Sequence, residues 1–366
     1  MTTKKSILLG LLILPLTLAL ADDNIAASPE RMEQRIKALS EHGANEDGGV
    51  DRVAFSEADI AGRAYIIDLM KGAGLATSVD TAGNIIGRRE GSEAELPPIL
   101  FGSHIDSVPG GGNYDGDVGV IGAIEVIELL EASNIRTRHP LEVVVFSDEE
   151  GGLTGSRAMV GRIDDDTLSV MSHSGMTIGE GIRTLGGDPD RLELARREPG
   201  EIKAFIELHI EQGAILDEED IDIGVVEGIV GIRWWDVTIE GFANHAGTTP
   251  MNRRWDAMVS AAEYVLAVNE VATSMPGTQV ATVGRIHAAP GAPNVIPGEV
   301  VLSLEIRDLS ADKMQRVFDE ISAAGERIAD ARSTPIRYEE IAVDVEPAPT
   351  DERLRRIIAT SADNLG

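Results

Sequence analysis

Residues Leu141–Phe146, LEVVVF, form an almost unbroken apolar run with valines at its centre. Such a run reads as a strand covered on both faces, which calls for a sheet flanked by helices. It ends in Ser147, Asp148, Glu149 and Glu150. Three acids at the mouth of a buried strand are costly unless something positive sits there; taken alone, a solvated acidic loop accounts for them too. Two further runs end in a similar way. Residues 98–105 lead through His104 to Asp106, and residues 204–210 carry Glu207 and His209. Helical spacing over 29–39, 57–70 and 118–130, and a hairpin over 76–89 turning at 82–84, complete the pattern. It predicts an α/β domain around a mixed, largely parallel sheet.

The pattern changes near Val226. A strand at 235–239 is followed by a helix at 256–269, strands at 280–286 and 299–306, a helix at 311–328 and a strand near 337–345. That order predicts an α+β sandwich with its helices on one face. The expected organisation is a catalytic domain over 22–226, an inserted domain over 227–344, and a return to the first domain over 345–366. Residues 1–21 read as a secretory signal: Lys4 and Lys5, an apolar run over 7–20, and the small-residue site Ala19-Leu20-Ala21. They predict an exported, periplasmic protein that is free of the membrane after cleavage. Without a pair of arginines there, the general export route is expected.

The chain has 366 residues, 62 acidic against 32 basic, and a net charge of -30. That balance argues against nucleic acid and anionic membranes as partners. There is no cysteine, so a metal would have to take histidine or carboxylate ligands.

Ligands of α/β sheets bind beyond the carboxyl ends of the strands. Three strands here present histidine or carboxylate at that end, and Asp115 arrives on a glycine-rich loop, GGGNYDG. Singly, each has a plain structural reading, such as a buried His104–Asp106 hydrogen bond. Together they suit zinc, manganese, cobalt or nickel. A carboxylate shared by two ions holds a metal pair, and of two adjacent glutamates one can ligate while the other acts as general base. Asp106, two residues from His104, can accept the imidazole's other N–H. Asp117 is expected to cap a helix that starts at Val118. His42, His139, His173 and His287 read as surface or loop residues.

The motifs GSHIDSVP, GGNYDG, DEEG, ELHIEQG, GFANHAGTTPMNRRWDA and NVIPG followed by EIRD resemble those of the zinc-dependent amidohydrolases. The type is that of N-carbamoyl-L-amino acid hydrolases, allantoate amidohydrolases and β-ureidopropionases, within a wider dinuclear metallopeptidase family. The resemblance runs from about residue 29 to the end. It implies His104 and His209 as ligands of one metal, Asp115 as a bridge, Glu150 on the second metal, Glu149 as general base and Asp106 as the residue that orients His104. It implies further that His245 reaches across a homodimer to the scissile carbonyl, that Asn294 and Arg307 bind the substrate carboxylate, and that Gln212 belongs to the substrate site. The activity implied is hydrolysis of a non-peptide C–N bond in an N-carbamoyl or ureido acid, by water activated on two divalent metals.

The chain departs from the family in two respects. The family's last metal ligand is a histidine near its C-terminus, and no histidine follows His287 here. The second metal site is therefore expected to be incomplete, and the C-terminal segment missing. The sequence after Glu150, GGLTGSRAMVG, also differs from the family's usual continuation. The alternatives are an exported peptidase or aminoacylase on the same scaffold, and a non-catalytic dimeric protein.

Overall fold

A computed structural model of the protein describes residues 26–341 and 345–365. The signal expected over 1–21 lies outside the described residues. The chain divides into two compact units between Ala214 and Ile215.

The first unit is built on a five-stranded sheet. Its strands are β1 (Ala76–Val79), β2 (Ile85–Arg89), β3 (Ile99–His104), β4 (Leu141–Phe146) and β5 (Ala204–Ile206), in the order β1-β2-β4-β3-β5. The hairpin β1–β2 is antiparallel and joins β4 antiparallel, while β4, β3 and β5 run parallel. The sheet is thus mixed, and its parallel part is the part that carries the strand ends singled out above.

Helices α1 (Pro29–Ser40), α2 (Glu57–Gly72) and α3 (Asp117–Ala132) cover one face. Ser28 caps α1 and Ser56 caps α2, each accepting a backbone N–H of the first turn, which supplies the local start signals. Ile36, Ile66, Met70, Ile121 and Ile124 meet Val143 and Val145 in this core. Because successive strand residues point to opposite faces, Val144 and Phe146 belong instead to a smaller cluster with Leu100 and Met159 on the other side. All six residues of β4 are buried, as its unbroken apolar run requires.

Two elements differ from expectation at their ends. The strand expected over 204–210 keeps its ladder only to Ile206, where it pairs with Phe101. Past that point Ser103 donates its hydroxyl to Glu207 at 2.5 Å and the Leu208 carbonyl passes against Gly119 of α3. The chain leaves the sheet edge to pack on a helix. Asp117 is not a cap: it is the first residue of α3, Gly116 takes the cap position with φ 67°, and the Asp117 side chain makes no capping bond. It turns inward to an ion pair with Arg52.

The second unit has the expected element order. Strand Glu299–Asp308 lies between Gly231–Glu240 and Ile286–Ala289, and Ile336–Ile341 flanks Gly231–Glu240, all antiparallel. The single strand expected over 280–286 is two, Val280–Thr282 and Ile286–Ala289, both paired to Glu299–Asp308. Burial alternates residue by residue along Glu299–Asp308, so Val300, Leu302, Leu304 and Ile306 face helices Ala257–Ser274 and Ala311–Arg332. Trp235 stacks on Phe318 with ring centroids 4.4 Å apart in that core.

The burial pattern of α3 carries a stability prediction. Replacing the fully buried Ile124 by Ala should lower the free energy of unfolding in urea by about 2–5 kcal/mol. Val126→Ala on the exposed side of the same helix should change it by less than about 0.5 kcal/mol. Equal losses at the two positions would contradict the packing described.

Candidate metal centre

Strand register brings the site together. His104 is level with Phe146 across the parallel β3–β4 pair, so Asp106 and the Asp148–Glu150 turn emerge side by side. His209 follows three residues after the β3–β5 ladder ends at Ile206, and its ring centroid lies 5.9 Å from that of His104. Asp115 comes from the loop before α3. A Cβ at Gly116, which has φ +67°, would lie 2.6 Å from Cε1, Nε2 and the carbonyl oxygen of His104. Glycine at 116 is what lets Asp115 reach the imidazole. The glycines at 110 and 112 meet no such neighbour.

His104, Asp115 and His209 offer ligand atoms that all lie within 4.8 Å of one another. His209 Nε2 is 3.1 Å and His104 Nε2 3.8 Å from Asp115 Oδ1. The tautomers follow from the opposite ring nitrogens. His104 Nδ1 lies 2.9 Å from the carbonyl oxygen of Asp106, and His209 Nδ1 lies 2.9 Å from that of Ile210. A carbonyl only accepts, so both Nδ1 atoms carry a proton, and each ring in its neutral form turns an Nε2 lone pair inward. Asp115 Oδ1, buried between them, has no hydrogen-bond partner. With both rings neutral, three electron-pair donors converge, which is the arrangement a divalent cation satisfies.

Gln212 donates to the other oxygen of Asp115, Oδ2, at 2.5 Å. Among the described residues, His104, Asp115 and His209 are the one group of three or more that meets this spacing. Glu150 stands close enough for its charge to be felt at His104 and Asp115, but it is not part of the group.

Asp106 acts differently from expectation. Its carboxylate is 3.9 Å from His104 Nδ1, too far to bond, and the main-chain carbonyl holds the ring instead. The carboxylate is engaged elsewhere, accepting the backbone N–H groups of Glu149 at 3.2 Å and Glu150 at 3.0 Å. Those N–H groups open the short helix Glu149–Gly152 and have no partner within it. Asp148, in the left-handed region with φ 51°, gives them no cap. Asp106 thus fastens the histidine with its backbone and the glutamate turn with its side chain.

Electrostatics follow from crowding acids in a half-dry place. Burial raises the Glu149 pKa; nearby His104 works against it, while Asp106, Glu150 and Glu207 push it further up. Glu149 Oε2 is 3.8 Å from His104 Nε2. Burial also raises Glu150. For His104 burial lowers the pKa, but the carboxylates of Asp106 and Glu149 outweigh it and the result is upward. Asp148, whose Oδ2 accepts from the Thr154 hydroxyl at 2.5 Å, is pushed up to about 7, chiefly by burial.

The remaining candidates belong to the second unit. His245 pairs with Val295 in a two-stranded ladder, and Ala246 N–H donates to the Asn294 carbonyl at 3.0 Å, so His245 and Asn294 are neighbours. The Gly247 N–H donates to His245 Nδ1 at 3.0 Å. That leaves the proton of the neutral ring on Nε2, which is exposed as a donor. Arg307 is paired with Glu305 through Nε at 2.8 Å and Nη2 at 3.1 Å.

Gly116 gives the centre a direct test. Gly116→Ala should weaken zinc binding by about 10–100-fold, the loss typical of disturbed ligand support. Gly112→Ala, where a Cβ meets nothing within 4 Å, should bind as the native protein does. Equal affinities in a zinc titration would show that the Gly116 contact does not set the site.

Comparisons with known proteins show the family of the chain. The model of peptidase family M20/M25/M40 matches residues 100–365. An N-carbamoyl-L-amino acid amidohydrolase of Geobacillus stearothermophilus is 40% identical over 342 residues, covering 92% of this chain and 83% of the relative. A ureidoglycolate hydrolase of Arabidopsis thaliana is 35% identical over 346 residues, covering 91% of this chain and 73% of the relative. The crystal structure of a hydantoinase/carbamoylase family amidase from Burkholderia ambifaria superposes with a TM-score of 0.86 at 30% identity, covering 93% of this chain and 84% of that one. The chain therefore belongs to peptidase family M20/M25/M40, in which its relatives include amidohydrolases of the carbamoylase type.

Proposed function

We propose that the protein is a metal-dependent amidohydrolase that cleaves a non-peptide C–N bond in an N-carbamoyl or ureido acid. The observation that carries this reading is the convergence of His104 Nε2, His209 Nε2 and the unpartnered Asp115 Oδ1 beside Glu149. The similarity to amidohydrolases over most of the chain supports the substrate class.

A divalent ion bound there would lower the pKa of water and polarise a carbonyl oxygen. His104, Asp115 and His209 would hold it. Zinc fits two imidazoles and a carboxylate, and manganese, cobalt and nickel accept the same donors. In this reading Glu150 and Asp115 would hold a second ion, and Gln212 would release its hydrogen bond to Asp115.

Glu149 takes a proton from the attacking water and gives it to the departing nitrogen. Its raised pKa suits both halves of that task, because a base poised nearer neutrality also returns its proton readily. His245 presents Nε2–H, the right group to steady a developing oxyanion. Asn294 stands beside it. Arg307 would use the donors that Glu305 leaves for the substrate carboxylate. The reading includes a homodimer that lends His245 to the partner's site, and export directed by residues 1–21.

A substrate panel tests the reaction class. Ammonia should be released from N-carbamoyl-L-amino acids or ureido acids, and no amino acid from dipeptides; the reverse outcome would indicate a peptidase on the same scaffold. Glu149→Gln should lower kcat by about 10²–10⁴-fold while metal content stays native. Retained turnover in that variant would remove Glu149 from the role of base.

A further inference from the structure

We propose that Arg52 is a positioning residue for the metal centre, fixing the separation of His104 and Asp115 by gripping the chain on both sides of the loop that joins them. This rests on the reading of His104, Asp115 and His209 as metal ligands.

Arg52 is 1% exposed. Its Nε donates to the carbonyl of Ile105, the residue after His104, at 2.6 Å. Its Nη2 donates to Asp117 Oδ2, two residues beyond Asp115, also at 2.6 Å. Its Nη1 donates to the carbonyls of Leu39 at 3.0 Å and His42 at 3.1 Å, which anchors the guanidinium to the end of α1. The backbone adds to the grip. Arg52 N–H donates to Ser107 Oγ at 3.1 Å, and Ser107 N–H donates to the Arg52 carbonyl at 3.0 Å. Val50 and Gly111 exchange backbone hydrogen bonds of 3.0 and 2.9 Å, and Gly110 N–H donates to Asp51 Oδ1 at 2.6 Å. Residues 50–52 thus hold the glycine-rich loop at 105, 107, 110, 111 and 117.

Stability alone does not explain such an arrangement. Removing an arginine and an aspartate from water costs several kcal/mol for each ion, and well-packed apolar residues are often as stable. Asp117 Oδ1 also remains without a hydrogen-bond partner. What the ion pair supplies is geometry. A guanidinium is a rigid planar fork, so its Nε and Nη2 bonds set a fixed spacing between Ile105 and Asp117. The ligands on either side inherit that spacing. Lysine, a point charge on a flexible stem, would keep the charge and lose the spacing.

The test uses the full chain, stripped of metal, with zinc affinity measured by chelator competition and cobalt(II) absorption as a report on ligand geometry. Arg52→Lys should weaken zinc binding by about 10–100-fold and alter the cobalt spectrum, with native circular dichroism in the metal-free protein. A purely structural Arg52 would lower the thermal midpoint and leave the affinity of the folded protein native; that result would overturn the proposal. Should the lysine variant not fold, the double variant Arg52→Met/Asp117→Leu removes both charges together and should fold with the same loss of affinity. Native affinity in the double variant would equally overturn it. If the native chain itself binds no zinc, the ligand reading fails instead, so the two failures are told apart.

Discussion

Two imidazole lone pairs and a carboxylate oxygen repel one another when nothing positive lies between them. His104, His209 and Asp115 are held in that relation by bonds that each consume the other end of the side chain. The Asp106 and Ile210 carbonyls take the two Nδ1 protons, and Gln212 takes Asp115 Oδ2. The repulsion between the neutral rings and the carboxylate is offset by the fold that imposes it, by a proton taken up on an imidazole, or by a cation set between them. The parallel pairing of β3 with β4 and β5, the contact of Gly116 with His104, and the packing of Gly119 against Leu208 all serve this convergence.

Around that centre the structure divides its acids by environment. Asp106 is buried but fully engaged, through two backbone N–H groups. Glu149 is half-buried, and its pKa is pushed up by the loss of water and by neighbouring carboxylates. Asp148 and Asp117, deeper in the protein, are each pushed up to about 7, mainly by burial. Residues adjacent in sequence thereby acquire different tasks. Glu149 faces the site, whereas Asp148 turns back to the Thr154 hydroxyl.

Much of this was legible in the sequence because it depends on periodicity and on strand ends. The run Leu141–Phe146 is wholly buried, and the strand–helix order of the second unit appears as its spacing indicates. His104 ends its strand and Asp115 stands beside glycines, as the sequence indicates, whereas His209 lies past the end of β5 and its role as a ligand came with the family resemblance. What was not legible depends on contacts distant along the chain. Asp117 looked like a helix cap because Asp is a common one, yet it pairs with Arg52, 65 residues away. Asp106 looked like a carboxylate for His104, yet the Glu149 and Glu150 N–H groups claim it first. Arg52 carries one local signal, a cation that follows Asp51 and directly precedes the apolar Val53, Ala54 and Phe55. The ladder of β5 stops early because Ser103 and Gly119 redirect the chain, and neither residue announces that in the local pattern.

X-ray absorption at the zinc edge tests the centre most directly. Metal-stripped protein loaded with zinc should show nitrogen and oxygen neighbours at about 2.0–2.2 Å and the outer-shell scattering of two imidazole rings, reduced to one in His209→Ala. A zinc-loaded protein whose spectrum lacks imidazole scattering, or is unchanged in that variant, would contradict the account.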